Sequence, residues 1–215
     1  MNVPTVDKVA MILDLKTLSP QRVYHAMTQT LVPRPIAWIL SENNQRGFNL
    51  APFSYFTGIA SSPPILMVSV GKKSDGTPKD TWVNIAERFD FVVHIPGMRQ
   101  IGLVAESSTE WPQDESEVTQ LGLEVTEFPG FRLPRLVACQ VAFACERYKI
   151  IEMGDPPQAL IFGRIDAIHI DDDIVDLDAK GRFTVHADRL DPASRLGNET
   201  FGSLGSMVRL PRPPK

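Results

Sequence analysis

The sequence predicts a mainly β protein with peripheral helices, folded as an antiparallel barrel, and three observations predict it. Short apolar runs are punctuated by Gly, Pro and Asn clusters. Two long β-type runs, 136–151 and 159–170, are joined by a connection containing Gly154 and Pro156-Pro157, which is a hairpin signal. Eighteen prolines against fourteen glycines interrupt helices and inner strands alike. A Rossmann sheet would instead alternate its strands with helical patterns of roughly 10–15 residues. At 215 residues, 43% hydrophobic and 22% charged, the chain can bury a core as one domain. No repeat, low-complexity tract or Gly/Ser linker divides it.

The elements run in order along the chain. Residues 11–14 read as a short lead-in strand to a helix. Ser19 is the N-cap of that helix and Pro20 its first residue. Val23, Met27 and Leu31 recur every four residues as its expected buried stripe, and Pro33 and Pro35 end it. Residues 36–40 and 48–54 read as a hairpin around Glu42-Asn43-Asn44-Gln45-Arg46-Gly47. Residues 65–70 are an apolar run the size of a buried strand. Thr77-Pro78-Lys79-Asp80-Thr81 carries the signals of a helix start, with Trp82, Ile85, Ala86 and Phe89 as its apolar face. Residues 91–95 return as a strand, 96–128 read as helical and loopy with a helix at 115–121, and the tail from residue 189 reads as irregular.

Composition excludes several functions. A net charge of −4 supplies no basic excess for neutralising phosphates, which argues against a nucleic-acid binder. No run reaches the ~18–20 apolar residues that span a bilayer, and the first sixteen residues lack a secretion signal. If Cys139 and Cys145 share one strand, their Cα atoms lie about 20 Å apart. A disulfide needs ~4.4–6.8 Å, so a reducing, cytoplasmic compartment is expected. Asn198-Glu199-Thr200 matches a glycosylation sequon, read as chance in such a compartment. His25, His94, His169 and His186 are scattered singly, so no metal site is expected. There is no G-x-G-x-x-G, P-loop, H-E-x-x-H, C-x-x-C or G-x-S-x-G, and no catalytic constellation.

Two patches carry chemistry. Asn49-Leu50-Ala51-Pro52-Phe53-Ser54-Tyr55-Phe56 sets small residues, a proline and aromatics together. A ligand can approach the backbone closely there, and Pro52 leaves neighbouring groups outside any ladder. Lys79-Asp80-Thr81 stands at a helix start, where free N–H groups and the dipole favour an anion. A flat shelf plus an anion seat suits a planar ring carrying a phosphate. Core packing and a solvated cap are the ordinary alternatives for the same residues.

The sequence resembles the flavin reductase-like family of FMN-binding split barrels, which includes flavoredoxin and the reductase components of two-component monooxygenases. The matching motifs are Val32-Pro33-Arg34-Pro35-Ile36-Ala37-Trp38-Ile39, the Asn49 to Phe56 patch, Ser62-Pro63-Pro64-Ile65-Leu66-Met67-Val68-Ser69-Val70-Gly71, Lys79-Asp80-Thr81-Trp82-Val83-Asn84-Ile85, Phe91-Val92-Val93-His94 and Asp191-Pro192-Ala193-Ser194-Arg195-Leu196-Gly197. The resemblance implies a six-stranded Greek-key barrel working as a homodimer, with FMN near the subunit boundary. It implies that Arg34, Trp38 and Ser41 border the flavin groove and that Asn49, Ala51, Pro52, Phe53 and Ser54 line the ring and ribityl. Ser69 would sit at the next strand's end, with Lys79, Asp80 and Thr81 at the phosphate. The implied activity is transfer of hydride from NADH or NADPH to flavin N5, with a monooxygenase as a partner. A flavoredoxin-like carrier without nicotinamide activity, a pyridoxamine-phosphate-oxidase-type enzyme and a non-enzymatic binding module are the rivals. One departure is visible: the family usually continues Arg-Leu-Gly with Gly-Asn and a tyrosine, where this chain reads Asn198-Glu199-Thr200-Phe201.

Overall fold

The computed structural model describes residues 10–112 and 115–211. Residues 1–9, on which the absence of a secretion signal largely rests, lie outside them. Seven strands form the main sheet: β1 (Ala37–Glu42), β2 (Phe48–Phe53), β3 (Phe56–Ser61), β4 (Pro64–Val70), β5 (Asp90–Ile95), β6 (Val141–Met153) and β7 (Gln158–Ile170). Their order is β2-β1-β5-β6-β7-β4-β3, antiparallel throughout. The sheet curls but does not close into a continuous ladder, which makes it the expected split barrel. It has one strand more than the resemblance implies, because residues 56–61 pair with β4 instead of ending the preceding hairpin.

The split has a specific place. β2 and β3 are consecutive in the chain yet occupy opposite edges of the sheet. Ser54 and Tyr55 cross between them, and the Ser69 N–H donates to the Tyr55 carbonyl at 2.9 Å.

Side chains alternate across the sheet with the period of two that a pleated strand imposes. Trp38 and Leu40 of β1 pack with Leu50, Val92 and Leu136 on one side. Ala37 and Ile39 pack with Val68, Phe91 and Ile161 on the other. Gly163 of β7 is required, because an added Cβ would run into the Phe91 ring. His94 is fully buried, its Nδ1 bonded to the Trp38 carbonyl at 3.0 Å and its Nε2 accepting from the Leu136 N–H at 2.9 Å. That fixes the proton on Nδ1, and burial lowers the ring's pKa to about 4.

Three helices frame the site: α1 (Pro20–Thr30), α2 (Asp80–Arg88) and α3 (Ile101–Glu106). Ser19 caps α1 as expected, its hydroxyl accepting from the Arg22 N–H. The buried stripe on α1 is corrected: Thr28 is its buried residue, while Met27 and Leu31 are 41% and 52% exposed. Only the C-terminal part of α1 leans on the protein, so four-residue spacing marks an apolar face without saying what covers it. Trp82 and Ile85 of α2 are buried as expected, but Phe89 is its exposed C-cap, set beneath the Arg147 guanidinium.

The ends of the chain also differ from the expectation. Residues 11–14 form no strand, and a short 3-10 turn, Leu15–Thr17, precedes α1. Within the tail, Ser194–Gly197 and Thr200–Gly202 make a hairpin whose first strand pairs with Arg34–Pro35, and residues 203–211 are irregular as expected. Cys139 and Cys145 are both free and buried.

Candidate functional site

The site begins where β2 runs out. β2 is an edge strand, so Pro52 costs it no ladder hydrogen bond on its outer side. Beside Pro52, Phe53 and Ser54 lies a basin of about 420 Å³. Ile36, Val104 of α3 and Phe201 of the tail hairpin complete its apolar wall, with Ser108, Arg195 and Glu199 at its edge. A second hollow of about 410 Å³ shares Ser54, Arg195 and Glu199 with the basin and adds Tyr24, Thr28 and Arg34. The basin falls within the ~300–1,000 Å³ of ordinary ligand pockets, mixing apolar surface with a few polar groups.

Arg34 organises this end. It is 6% exposed, and its Nη1 donates to the carbonyls of Leu31, at 2.8 Å, and Thr28. A guanidinium at a helix C-terminus satisfies carbonyls that lack helical partners. Its Nε donates to Ser54 Oγ at 3.2 Å, so α1 and the crossing between β2 and β3 are joined through one side chain. Arg34 also lies 5.8 Å from the centre of the Tyr55 ring. The Tyr55 hydroxyl is buried without a hydrogen-bond partner among the described residues, and burial raises its pKa.

The opposite wall is the tail hairpin. Gly197 pairs with Thr200, leaving Asn198 and Glu199 as a two-residue turn with φ of 44° and 60°. Two positive φ values suit the type I′ turn that matches strand twist, which normally takes Asn-Gly. Glu199 therefore holds a conformation that costs a side-chain residue about 1 kcal/mol. Gly197, at φ 88°, leaves no room for a Cβ, which would fall 2.8 Å from the Thr28 carbonyl oxygen. Arg195 stacks on Phe201, 4.3 Å from the ring centre.

At its other end the basin meets a niche of about 40 Å³, and Ser108 lines both. Lys79 and Asp80 enter the niche from the start of α2, and Trp111 and Glu117 enter from the loop after α3. Lys79 is the N-cap residue, with its side chain making no cap bond. Asp80 is paired with Lys73 at 2.8 Å. Glu117 is 6% exposed, and its Oε2 accepts from the Leu50 N–H at 2.8 Å. Burial raises the Glu117 pKa, a rise that the Leu50 bond partly offsets. The Trp111 Nε1–H is buried with no acceptor among the described residues. An orphaned donor beside an uncommitted ammonium fits a bound anion, so the niche suits the phosphate end of a ligand whose ring lies in the basin.

The residues expected from the sequence fall into three groups. Pro52, Phe53 and Ser54 line the basin, Arg34 stands behind it, and Lys79 and Asp80 line the niche. Ser69 is elsewhere, on an apolar groove across the strand crossing with Tyr55, Met67 and Leu160. Trp38, Ser41, Asn49 and Thr81 are enclosed, at 0–7% exposure, and their side chains serve the packing around the site. Asn49 Nδ2 donates to Thr81 Oγ1 at 3.0 Å and Asn84 Nδ2 to Ser41 Oγ at 3.2 Å, bolting α2 to β1 and β2. Trp38 Nε1 donates to Ser107 Oγ at 2.8 Å. Ala51 is half-buried and packs under the sheet. Sequence reasoning missed Val104, Ser108 and Trp111, which belong to a stretch read as helical and loopy, and Glu117, which it placed in a helix (observed at Glu117–Gln120) without a role at the site. It also missed Glu199 and Phe201 as walls, although their loop stood out as the departure.

The apolar groove measures about 740 Å³ and runs from Met27, Leu31 and Val32 to Phe56 and Met67. Met27, Leu31 and Val32, at its rim, are 41–52% exposed. Among the described residues no cluster of His, Cys, Asp and Glu could hold a metal ion, and no helix is long and apolar enough to cross a membrane.

Residues 28–186 match the family model described as flavin reductase like domain. Protein YwrF of Bacillus subtilis (strain 168) is 32% identical over 206 residues, covering 94% of this chain and 98% of that protein. Nitrilotriacetate monooxygenase component B from Bacillus cereus superposes with a TM-score of 0.85 at 30% identity, over 94% of this chain and 98% of its own. The 2-nitrobenzoate 2-nitroreductase NbaA of Pseudomonas fluorescens gives 0.83 at 28% identity, over 94% and 96%.

Proposed function

Since the chain belongs to the flavin reductase-like domain family, we propose that it is an FMN-dependent reductase taking hydride from NADH or NADPH and passing electrons to an acceptor. The observation that carries this reading is the shared Ser108: the apolar basin beside Pro52 and the donor-rich niche beside Lys79 adjoin. One ligand with a flat ring and a phosphate can occupy both.

In this reading the flavin, when bound, supplies the redox chemistry by accepting hydride at N5. The protein supplies shape and charge. Ile36, Val104 and Phe201 shield the ring's faces from water, and backbone groups at 52–54 meet its polar edge. Ser54 is held in register by Arg34. Lys79 and the first-turn N–H groups of α2 hold the phosphate. Hydride transfer requires no side chain to move a proton. The second hollow, beside Arg195 and Glu199, is the approach for the nicotinamide, which no dinucleotide-binding turn holds.

The exposed apolar groove between α1 and β4 supports a homodimer, in which a second copy covers Met27, Leu31 and Val32. A monooxygenase is the acceptor that the nitrilotriacetate monooxygenase component B likeness suggests. Two buried free thiols suit a reducing, cytoplasmic setting.

The test is an absorbance spectrum of the purified protein with FMN, followed by anaerobic addition of NADH and of NADPH. The expected result is a bound flavin spectrum that bleaches with one or both donors. A protein that takes up no FMN refutes the reading. Uptake without bleaching replaces it with an electron carrier.

A further inference from the structure

We propose that Trp111 is a phosphate-binding residue, its indole N–H acting with Lys79 to make the site select a phosphorylated flavin over the dephosphorylated one. The inference rests on the flavin reading and adds a residue that none of the sequence motifs contains.

Donors and acceptors in the niche do not balance. Lys73, Lys79, Asp80, Glu110 and Glu117 are its charged groups. The Lys73 ammonium is engaged by Asp80. Glu110 accepts the Ser74 N–H at 3.0 Å on Oε1 and the Ser74 hydroxyl at 2.7 Å on Oε2. Glu117 takes the Leu50 N–H. Ser108 Oγ donates away from the niche, to the Ala105 carbonyl. Each of the three carboxylates thus already has a donor. What remains, among the described residues, is the Lys79 ammonium, the first-turn N–H groups of α2 and the buried Trp111 Nε1–H.

A buried donor without an acceptor costs about 1–3 kcal/mol. Folded proteins rarely leave such a group unmatched, and where they do a ligand is a physical reason. Two residues with uncommitted donors, Lys79 and Trp111, line the same space, which is too small for a ring. An acceptor-only group of compact shape completes it, and a phosphate monoester is one. An indole N–H donates more strongly to an ionised phosphate oxygen than to a neutral hydroxyl, so it favours the phosphorylated flavin.

The experiment measures binding of FMN and of riboflavin to full-length wild type, Trp111→Phe, Trp111→His and Lys79→Ala, by quenching of flavin fluorescence. Phe removes the N–H and keeps most of the ring, whereas His restores a donor. Expected is loss of FMN affinity on the order of tenfold in Trp111→Phe, no change for riboflavin, and partial recovery in Trp111→His. A second measurement tracks the indole N–H signals of ¹⁵N-labelled apo-protein during titration with inorganic phosphate. The signal missing from Trp111→Phe is the one expected to move. Trp111→Phe binding FMN as wild type does, or losing FMN and riboflavin equally, overturns the proposal. So does a Trp111 signal indifferent to phosphate. Wild type that binds neither flavin fails at an earlier step and overturns the functional reading with it.

Discussion

Two indoles border the loop after α3 and have opposite fates. Trp38 is wholly enclosed and gives its N–H to Ser107 at 2.8 Å. Trp111 comes from the same loop four residues later and gives its N–H to nothing among the described residues. The contrast extends to their surroundings. Around Trp38 the polar groups are satisfied: His94 uses both ring nitrogens, and Ser41, Asn49 and Thr81 are each bonded. Around Trp111 and Lys79 donors are left over. A buried polar group with its partner belongs to folding, and one without a partner points to something that arrives later.

Substitutions on the two sides should therefore separate stability from binding. The largest effect belongs to the core. Trp38→Ala opens a cavity and removes the donor to Ser107 Oγ, and is expected to cost about 3–5 kcal/mol in urea unfolding. Any fraction that remains folded should keep its FMN affinity, and a selective loss of affinity would break the comparison.

Acid sharpens it next. His94 titrates at about 4 in the folded chain against 6.5 in the reference state. Above pH 6.5 the ring is neutral in both states, and the stability is fully present. As pH falls from there towards 4 only the unfolded chain takes up the proton, so stability drops by about 1.4 kcal/mol per pH unit. The sum is about 3 kcal/mol, read as the difference in urea midpoint between wild type and His94→Gln at pH 7 and pH 4.5. A pH dependence identical in both proteins would remove His94 from the account.

On the ligand side, Lys79→Ala is expected to weaken FMN by about 1.5–3 kcal/mol, the range for hydrogen bonds to charged groups, with apo-protein stability unchanged. Isothermal titration and a melting curve on the same sample check both halves. The smallest effect lies at the tail turn. Glu199→Gly relieves a positive φ but adds chain entropy to the unfolded state, so a net gain under about 1 kcal/mol is expected in thermal unfolding.

The barrel was legible in the sequence because period-two alternation and turn residues are local signals. The hairpin of β1 and β2, the long hairpin of β6 and β7 and the start of α2 arise from them. The third strand went unread because Phe56–Ser61 continues a run already assigned to β2, and only the pairing with β4 separates the two. The site was half legible. Motifs named the residues of β2 and the start of α2, but a motif does not distinguish a side chain that lines a groove from one that bolts its wall. Ser41, Asn49 and Thr81 are of the second kind. Trp111 was invisible, because what marks it is a missing partner, and absence of a partner exists only in three dimensions.

The pairing of Arg34–Pro35 with Ser194–Gly197 reaches beyond local architecture. The match to the family model ends at residue 186, after all seven strands, whereas Arg195, Glu199 and Phe201 come later in the chain. A shortened chain ending there would retain the common scaffold and forfeit one bank of the binding trough.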